Sequence, residues 1–165
     1  KRMDRKRSHI FLITTILFLV FFYSSVLAQS IPPFKILLTN GKTFYAKELP
    51  QGKPVVIIYF APDCEHCQTL MNAVFKQINI FKRVEIVMVT FKPMNEVAEF
   101  EKSYHTKKYS NIIVGTEVPA FFFKMYFNLM NTPFTVLYDK QGKYIYSYRK
   151  ETPIDDLIIR IKMLK

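Results

Sequence analysis

Six consecutive apolar residues, Val55-Val56-Ile57-Ile58-Tyr59-Phe60, constrain the fold of this chain more than any other feature. A strand with one wet face alternates apolar and polar side chains. This run does not alternate, and it is rich in β-branched residues. It therefore predicts a strand buried on both faces, central in a sheet covered by helices. The only two cysteines follow at once, in Ala61-Pro62-Asp63-Cys64-Glu65-His66-Cys67. Beyond them Cys67, Leu70, Met71, Val74 and Ile78 recur at helical spacing, which predicts a helix from about Cys64 to Asn79. The strand-to-helix junction at residues 60–67 lies at the carboxyl end of a central strand, where α/β sheets place their active sites.

The remaining elements fit that frame. Phe34 to Leu38 and Lys42 to Tyr45 flank Asn40-Gly41, a hairpin signal. Val84 to Thr90 reads as a second buried strand. Met94 to about His105 reads as a polar, acid-rich helix, and Asn111 to Val114 as a short strand or extended piece. Pro119 is placed to open a short helix through Tyr126. Phe134 to Tyr138 is a further strand, and Asp139-Lys140-Gln141-Gly142 turns the chain into Tyr144 to Arg149, expected to pair antiparallel. Thr152-Pro153 is expected to cap a C-terminal helix with Asp155 and Asp156 in its first turn. Strands alternating with helices imply an α/β sandwich around a mixed sheet, preceded by an N-terminal β-hairpin. The length, 165 residues, and a 50% hydrophobic composition suit one domain with a full core.

The first 28 residues read as an address. Lys1 to His9 is basic, Ile10 to Tyr23 is apolar except for Thr14 and Thr15, and Val26 and Ala28 provide small residues at the −3 and −1 positions. This is the pattern of a secretory signal peptide cleaved after Ala28, leaving residues 29–165 as the domain. The competing reading is an uncleaved anchor, since Ile10 to Ala28 spans 19 residues, just long enough to cross a bilayer. Membrane contact follows only from that second reading. Both send the domain out of the cytosol. The formal charge of +11 drops to +7 for residues 29–165, which keep 19 basic and 12 acidic side chains. The lysines are scattered, and no dense basic run follows Arg7. They read as a solvated surface and not as a nucleic-acid site.

The cysteine pair closes too small a loop to stabilise the chain much, so its purpose is chemical. Cys64 at a helix start meets unpaired N–H groups and the macrodipole, which favour a thiolate. Its pKa is expected to fall from about 8.5 towards roughly 3.5–7.5. The thiolate is the attacking species in disulfide exchange. Cys67, one turn further in, is expected to stay protonated until it resolves the mixed disulfide. His66, if protonated, favours the thiolate; Glu65 opposes it. A zinc site needs about four ligands, and beside the thiols the chain offers His66, His105 and carboxylates, with His66 trapped between the two sulfurs. No metal is expected. Haem attachment needs His directly after the second Cys, and position 68 is Gln. A peroxide-reducing cysteine usually has Thr three residues before it; here that residue is Ala61.

With these residues the chain resembles the thioredoxin superfamily, and within it the secreted bacterial thiol-disulfide oxidoreductases of the TlpA/ResA type. The likeness rests on Gly52 to Cys67 and on Asn131-Thr132-Pro133-Phe134-Thr135-Val136-Leu137-Tyr138-Asp139-Lys140-Gln141-Gly142-Lys143, and runs from about Phe34 to Lys165. It implies a thioredoxin-like three-layer sandwich. It implies a cis Thr132–Pro133 bond facing the cysteines, with the backbone of Thr132 pairing with the substrate chain. It implies a bacterial periplasmic location, no cofactor, protein disulfides or thiols as substrates, and another redox protein as electron donor or acceptor. The sequence departs from the family in three places. Phe60 stands where a Trp is common, Ile58 where thioredoxins often bury a carboxylate, and Leu70 where the secreted reductases place a Glu. Glu85 on the next strand is the nearest substitute acid, though an exposed surface position is its default reading.

Three functions remain open on the sequence. The resemblance implies a reductant of extracytoplasmic proteins. His66 favours an oxidase or isomerase of oxidative folding. The aromatic stretch Ala120 to Phe127, by default core, otherwise suits a docking surface of a non-catalytic binding module.

Overall fold

The computed structural model describes residues 30–164. The proposed leader, residues 1–28, lies outside the described residues. The element order is β1 (Lys35–Leu37), β2 (Thr43–Tyr45), β3 (Val55–Phe60), α1 (Glu65–Lys76), α2 (Ile78–Phe81), β4 (Glu85–Thr90), α3 (Met94–Tyr104), β5 (Ile112–Glu117), α4 (Phe122–Tyr126), β6 (Phe134–Tyr138), β7 (Tyr144–Arg149) and α5 (Ile154–Met163). The seven strands form one mixed sheet in the order β2-β1-β5-β4-β3-β6-β7. β3, β4 and β5 run parallel, while β6 and β1 flank them antiparallel.

The uninterrupted run of β3 is explained by its place between β4 and β6, with every residue buried. Its alternate side chains feed two cores. Val56, Ile58 and Phe60 pack with Leu70 and Val74 of α1, Phe100 of α3 and Leu157 of α5. Val55, Ile57 and Tyr59 pack on the other face with Phe34, Phe123 and Leu129. This is the expected thioredoxin-like sandwich, with the long helices on one face and the short α4 and the N-terminal segment on the other. The hairpin β1–β2 joins the sheet through β5, and Gly115 makes that possible. A Cβ there would sit 2.7 Å from the Leu37 carbonyl oxygen.

Several boundaries differ from expectation for local reasons. The helix predicted to reach Asn79 stops at Lys76, and a separate turn, α2, follows. Pro119 does not open α4. Its bond to Val118 is cis, Phe121 takes the left-handed conformation, and the helix starts at Phe122. Thr152 does not cap α5 with its side chain; the N-cap position is Pro153, and the Thr152 hydroxyl pairs with that of Thr135 at 2.8 Å. Glu85 is not a surface acid. It is 4% exposed at the start of β4, with Lys53 Nζ at 3.8 Å.

Candidate active site

The carboxyl ends of β3, β4 and β5 and the amino end of β6 meet at one edge of the sheet. Cys64 occupies the N-cap position of α1 in an extended conformation. A turn leads into it, with the Cys64 N–H donating to the Ala61 carbonyl at 3.1 Å, and the helix starts with the Gln68 N–H donating to the Cys64 carbonyl at 2.9 Å. The Gln68 side chain also donates to the Pro62 carbonyl at 2.9 Å and closes this corner. Cys64 is half-buried. Cys67, one turn on, is 1% exposed and belongs to the α1-side core with Ile58 and Leu70. Neither thiol is bridged. With Cys64 at the N-cap and Cys67 one turn inside, α1 presents an outer and an inner thiol whose titrations influence each other.

The environments of the two thiols are opposite. Burial pushes the Cys64 thiol up, but hydrogen bonds to its sulfur from Cys67, from Thr132 and from the backbone N–H groups of Cys67 and His66 outweigh it, and the net shift is downward. Burial, and next the hydrogen bond with Cys64, push the Cys67 thiol up to about 12. The donors that favour the outer thiolate include the free N–H groups of the first helical turn, where a helix stabilises an anion. His66 contributes its backbone N–H. Its side chain and that of Glu65 stand exposed on the first turn.

Across from the cysteines, the Thr132–Pro133 peptide is cis, with Pro133 buried. The Cys64 thiol points at the Thr132 carbonyl oxygen, 3.6 Å away. Polar links between residues far apart in the chain, which no local pattern signals, hold this corner. Lys92, just past β4, pairs with Asp63 at 2.6 Å and holds its carboxyl below the usual carboxylate range. The carboxylate beside Cys64 is thus matched by a cation. The hydroxyl of Thr116 donates to the Lys92 carbonyl and ties β5 to the same loop. Arg149 on β7 donates to the carbonyls of Phe127 at 2.9 Å and Asn128 at 3.2 Å, anchoring the segment that leads to Thr132.

Among the described residues, no carboxylate acts on Cys67, in keeping with the apolar Ile58 and Leu70 beside it. Glu85 cannot substitute, since it starts β4 opposite Val55 while Phe60 pairs with Thr90. Five residues at about 3.3 Å each put it roughly 16 Å from the cysteine end. A buried acid does sit at this end: Glu117, last residue of β5, is 3% exposed and on the Tyr59 face of the sheet. It accepts hydrogen bonds at 2.8 Å from the Tyr59 hydroxyl and from the N–H groups of Phe121 and Phe123.

The aromatic stretch divides between the two readings left open above. Phe123 is fully buried, stacked on Tyr59 with ring centroids 5.8 Å apart. Phe121, Met125 and Tyr126 are exposed. A cavity of about 320 Å³ opens next to Thr132, walled by Tyr59, Phe91, Phe121, Lys124 and Met130. Among the described residues, no three His, Cys, Asp or Glu side chains gather as metal ligands.

The fold is matched in known proteins. Residues 27–160 match the profile of the AhpC/TSA family. No match emerged among curated protein sequences. Among solved structures, DsbF of Mycobacterium tuberculosis superimposes with a TM-score of 0.66 at 23% identity, over 86% of this chain and 100% of that one. A secreted disulfide oxidoreductase of M. tuberculosis homologous to E. coli DsbE gives 0.66 at 19% identity, over 80% and 96%. The exposed lipoprotein thioredoxin Etrx1 of Streptococcus pneumoniae gives 0.60 at 20% identity, over 81% and 100%. At these identities the likeness speaks for the fold, and the family match covers most of the chain: it belongs to the AhpC/TSA family and carries the thioredoxin-like fold of the thiol-disulfide oxidoreductases.

Proposed function

We propose that this chain is an extracytoplasmic thiol-disulfide oxidoreductase that reduces protein disulfides through Cys64 and Cys67. The observation that carries the reading is the opposition of the two thiols at one helix start. The outer one is favoured as a thiolate, and the inner one is held protonated with a pKa of about 12.

The Cys64 thiolate attacks one sulfur of a substrate disulfide. A mixed disulfide forms, and the other substrate sulfur leaves as a thiolate. Ionised Cys64 no longer donates to the Thr132 carbonyl, which becomes free to accept an N–H from the substrate strand. Part of what holds Cys67 protonated is its hydrogen bond to the Cys64 sulfur and the charge there. Both weaken once that sulfur is in a mixed disulfide, so Cys67 ionises more readily at the moment it is needed. With no carboxylate at hand, the departing substrate thiolate takes its proton. The Cys67 thiolate then attacks Cys64 Sγ, the Cys64–Cys67 disulfide forms, and the second substrate sulfur leaves as a thiolate, protonated by solvent. Two electrons have passed to the substrate, and an external dithiol protein restores the pair. Glu65 and His66 adjust the potential by charge from their exposed positions. Pro133 shapes the loop that presents Thr132.

The leader at residues 1–28 and the secreted and lipoprotein character of the structural relatives support placement outside the cytosol. The test is insulin reduction driven by dithiothreitol, with Cys64→Ser and Cys67→Ser for comparison. Cys64→Ser is expected to lose at least about 100-fold in rate, since no thiolate remains to attack. Cys67→Ser is expected to accumulate mixed disulfides with its substrates. Equal rates for wild type and Cys64→Ser would leave only a binding role. A pair potential above that of glutathione would reverse the direction and make the protein an oxidant.

A further inference from the structure

The buried carboxylate of Glu117 has no part in the thiol chemistry above, yet it is the most fully engaged acid in the described structure. Oε1 accepts from the Tyr59 hydroxyl and the Phe121 N–H, and Oε2 accepts from the Phe123 N–H. These donors come from two places that are otherwise joined by apolar contact, the stack of Phe123 on Tyr59. Tyr59 belongs to the central strand, and its ring is one wall of the cavity beside Thr132. Phe121 and Phe123 belong to the turn into α4, and the exposed ring of Phe121 is the facing wall. Phe91 completes the row, with ring centroids 6.0 Å from Tyr59 and 5.9 Å from Phe121.

Phe121 needs such a tether. Its φ of 63° is a left-handed conformation that a bulky side chain rarely adopts without support. The support is the Glu117 carboxylate holding its N–H. A neutral amide could not do the same work. Glutamine at this position has one acceptor oxygen and one donor nitrogen, and the nitrogen would meet either the Phe123 N–H or the Phe121 N–H as a second donor.

We propose that Glu117 is the positioning residue of the cavity beside Thr132: by fixing Tyr59 and the Phe121 turn against each other it holds the walls that receive an apolar side chain of the substrate protein. The proposal rests on the oxidoreductase reading. It places the residue in partner affinity and leaves the sulfur chemistry to Cys64 and Cys67. It also gives a role to a buried acid at this end of the sheet that does not act on Cys67.

The test separates affinity from chemistry with two disulfides, insulin and 2-hydroxyethyl disulfide, the second too small to fill the cavity and contact its walls while reacting. Glu117→Gln is expected to raise the KM for insulin about fivefold, the worth of one ordinary hydrogen bond. Its kcat and its rate with 2-hydroxyethyl disulfide stay at the wild-type values. Phe121→Ala is expected to raise the insulin KM as well. The double variant is then no worse than the poorer single one, because Glu117 acts through Phe121. Tyr59→Phe keeps the carboxylate and removes one of its three donors; it carries the same test, with a KM rise of up to about fivefold, should Glu117→Gln fail to fold. An unchanged KM overturns the proposal. So does an equal loss with both disulfides, or independent effects in the double variant. Wild-type protein that turns over neither disulfide would instead sink the oxidoreductase reading, and this proposal with it.

Discussion

Two buried glutamates mark the two ends of the parallel strands, and they are held in different ways. Glu85 starts β4 at the foot of the sheet and has a charged neighbour, the half-exposed Lys53 at 3.8 Å. Glu117 ends β5 at the crown and has neutral dipoles, a hydroxyl and two backbone N–H groups at 2.8 Å. Nearby at the foot, buried Asn111 donates to the carbonyls of Phe81 and Val84 at 3.0 and 2.9 Å, closing the turn between α2 and β4. The buried polar groups at the foot, Glu85 and Asn111, bind the chain to itself. At the crown they point sulfur, carbonyl and aromatic rings outward. The same sheet therefore separates groups that serve folding from groups that serve contact and chemistry, and substitutions at the two ends should differ in kind.

The largest effect on stability is expected at the foot. Asn111→Ala removes both donors from two buried carbonyls, and such orphaned groups cost about 2 kcal/mol in total. Urea unfolding should show that loss, while the insulin reduction rate per folded molecule stays at the wild-type value. A fall in rate without a fall in stability would break the division between the two ends.

That division was only half legible in the sequence. The β3 run, the helix after Cys64 and the bounds of β6 and β7 follow from apolar pattern and turn residues, which act within a few positions of themselves. Phe134 to Tyr138 and Tyr144 to Arg149 match the observed strands residue for residue. The cysteine pair was visible because its two members are neighbours along one helix. The partners that support it were not. Tyr59 and Glu117 stand 58 positions apart and meet because β3, β4 and β5 end together, which no local pattern encodes. Asp63 and Lys92 meet across the ends of β3 and β4 for the same reason. Glu85 was misread because a charged side chain on a strand looks like a solvent-facing one until the neighbouring strands are placed. Thr152 has the composition of a cap, but the hydroxyl of Thr135 on β6 competes for it and wins.

At the crown the sharpest measure is the titration of Cys64. Its thiol lies below its ordinary value because hydrogen bonds to the sulfur outweigh the upward push of burial. Iodoacetamide should label it with a midpoint below that of an ordinary thiol, and Cys67 should resist labelling to much higher pH. Cys67→Ala removes one of the donors to the sulfur, so the midpoint should move up. Stability follows the same sign. A folded pKa below the unfolded one contributes stability above the unfolded value, and that contribution is lost as pH falls through the folded pKa. A midpoint unmoved in Cys67→Ala would assign the whole shift to Thr132 and the backbone N–H groups, and the inner thiol would then have no part in preparing the outer one.

The smallest effect belongs to Glu85→Gln, and its sign carries the comparison furthest. Burial raises the Glu85 pKa above the usual 4.5, and the Lys53 charge offsets only part of that. A raised acid binds its proton more tightly in the folded chain than in the unfolded one. The wild-type protein should therefore lose stability as pH rises from about 4.5 through the raised pKa, where the folded state must ionise a buried group. Glutamine has nothing to ionise, so that slope should flatten, leaving the variant no less stable than wild type at pH 7. Insulin reduction should not change, because the residue stands at the far end of β4 from the cysteines. A variant that is less stable at pH 7 would mean that the Lys53 pair outweighs the cost of burial. The foot of the sheet would then be held by charge, and the contrast with the neutral dipoles around Glu117 would become one of mechanism as well as of place.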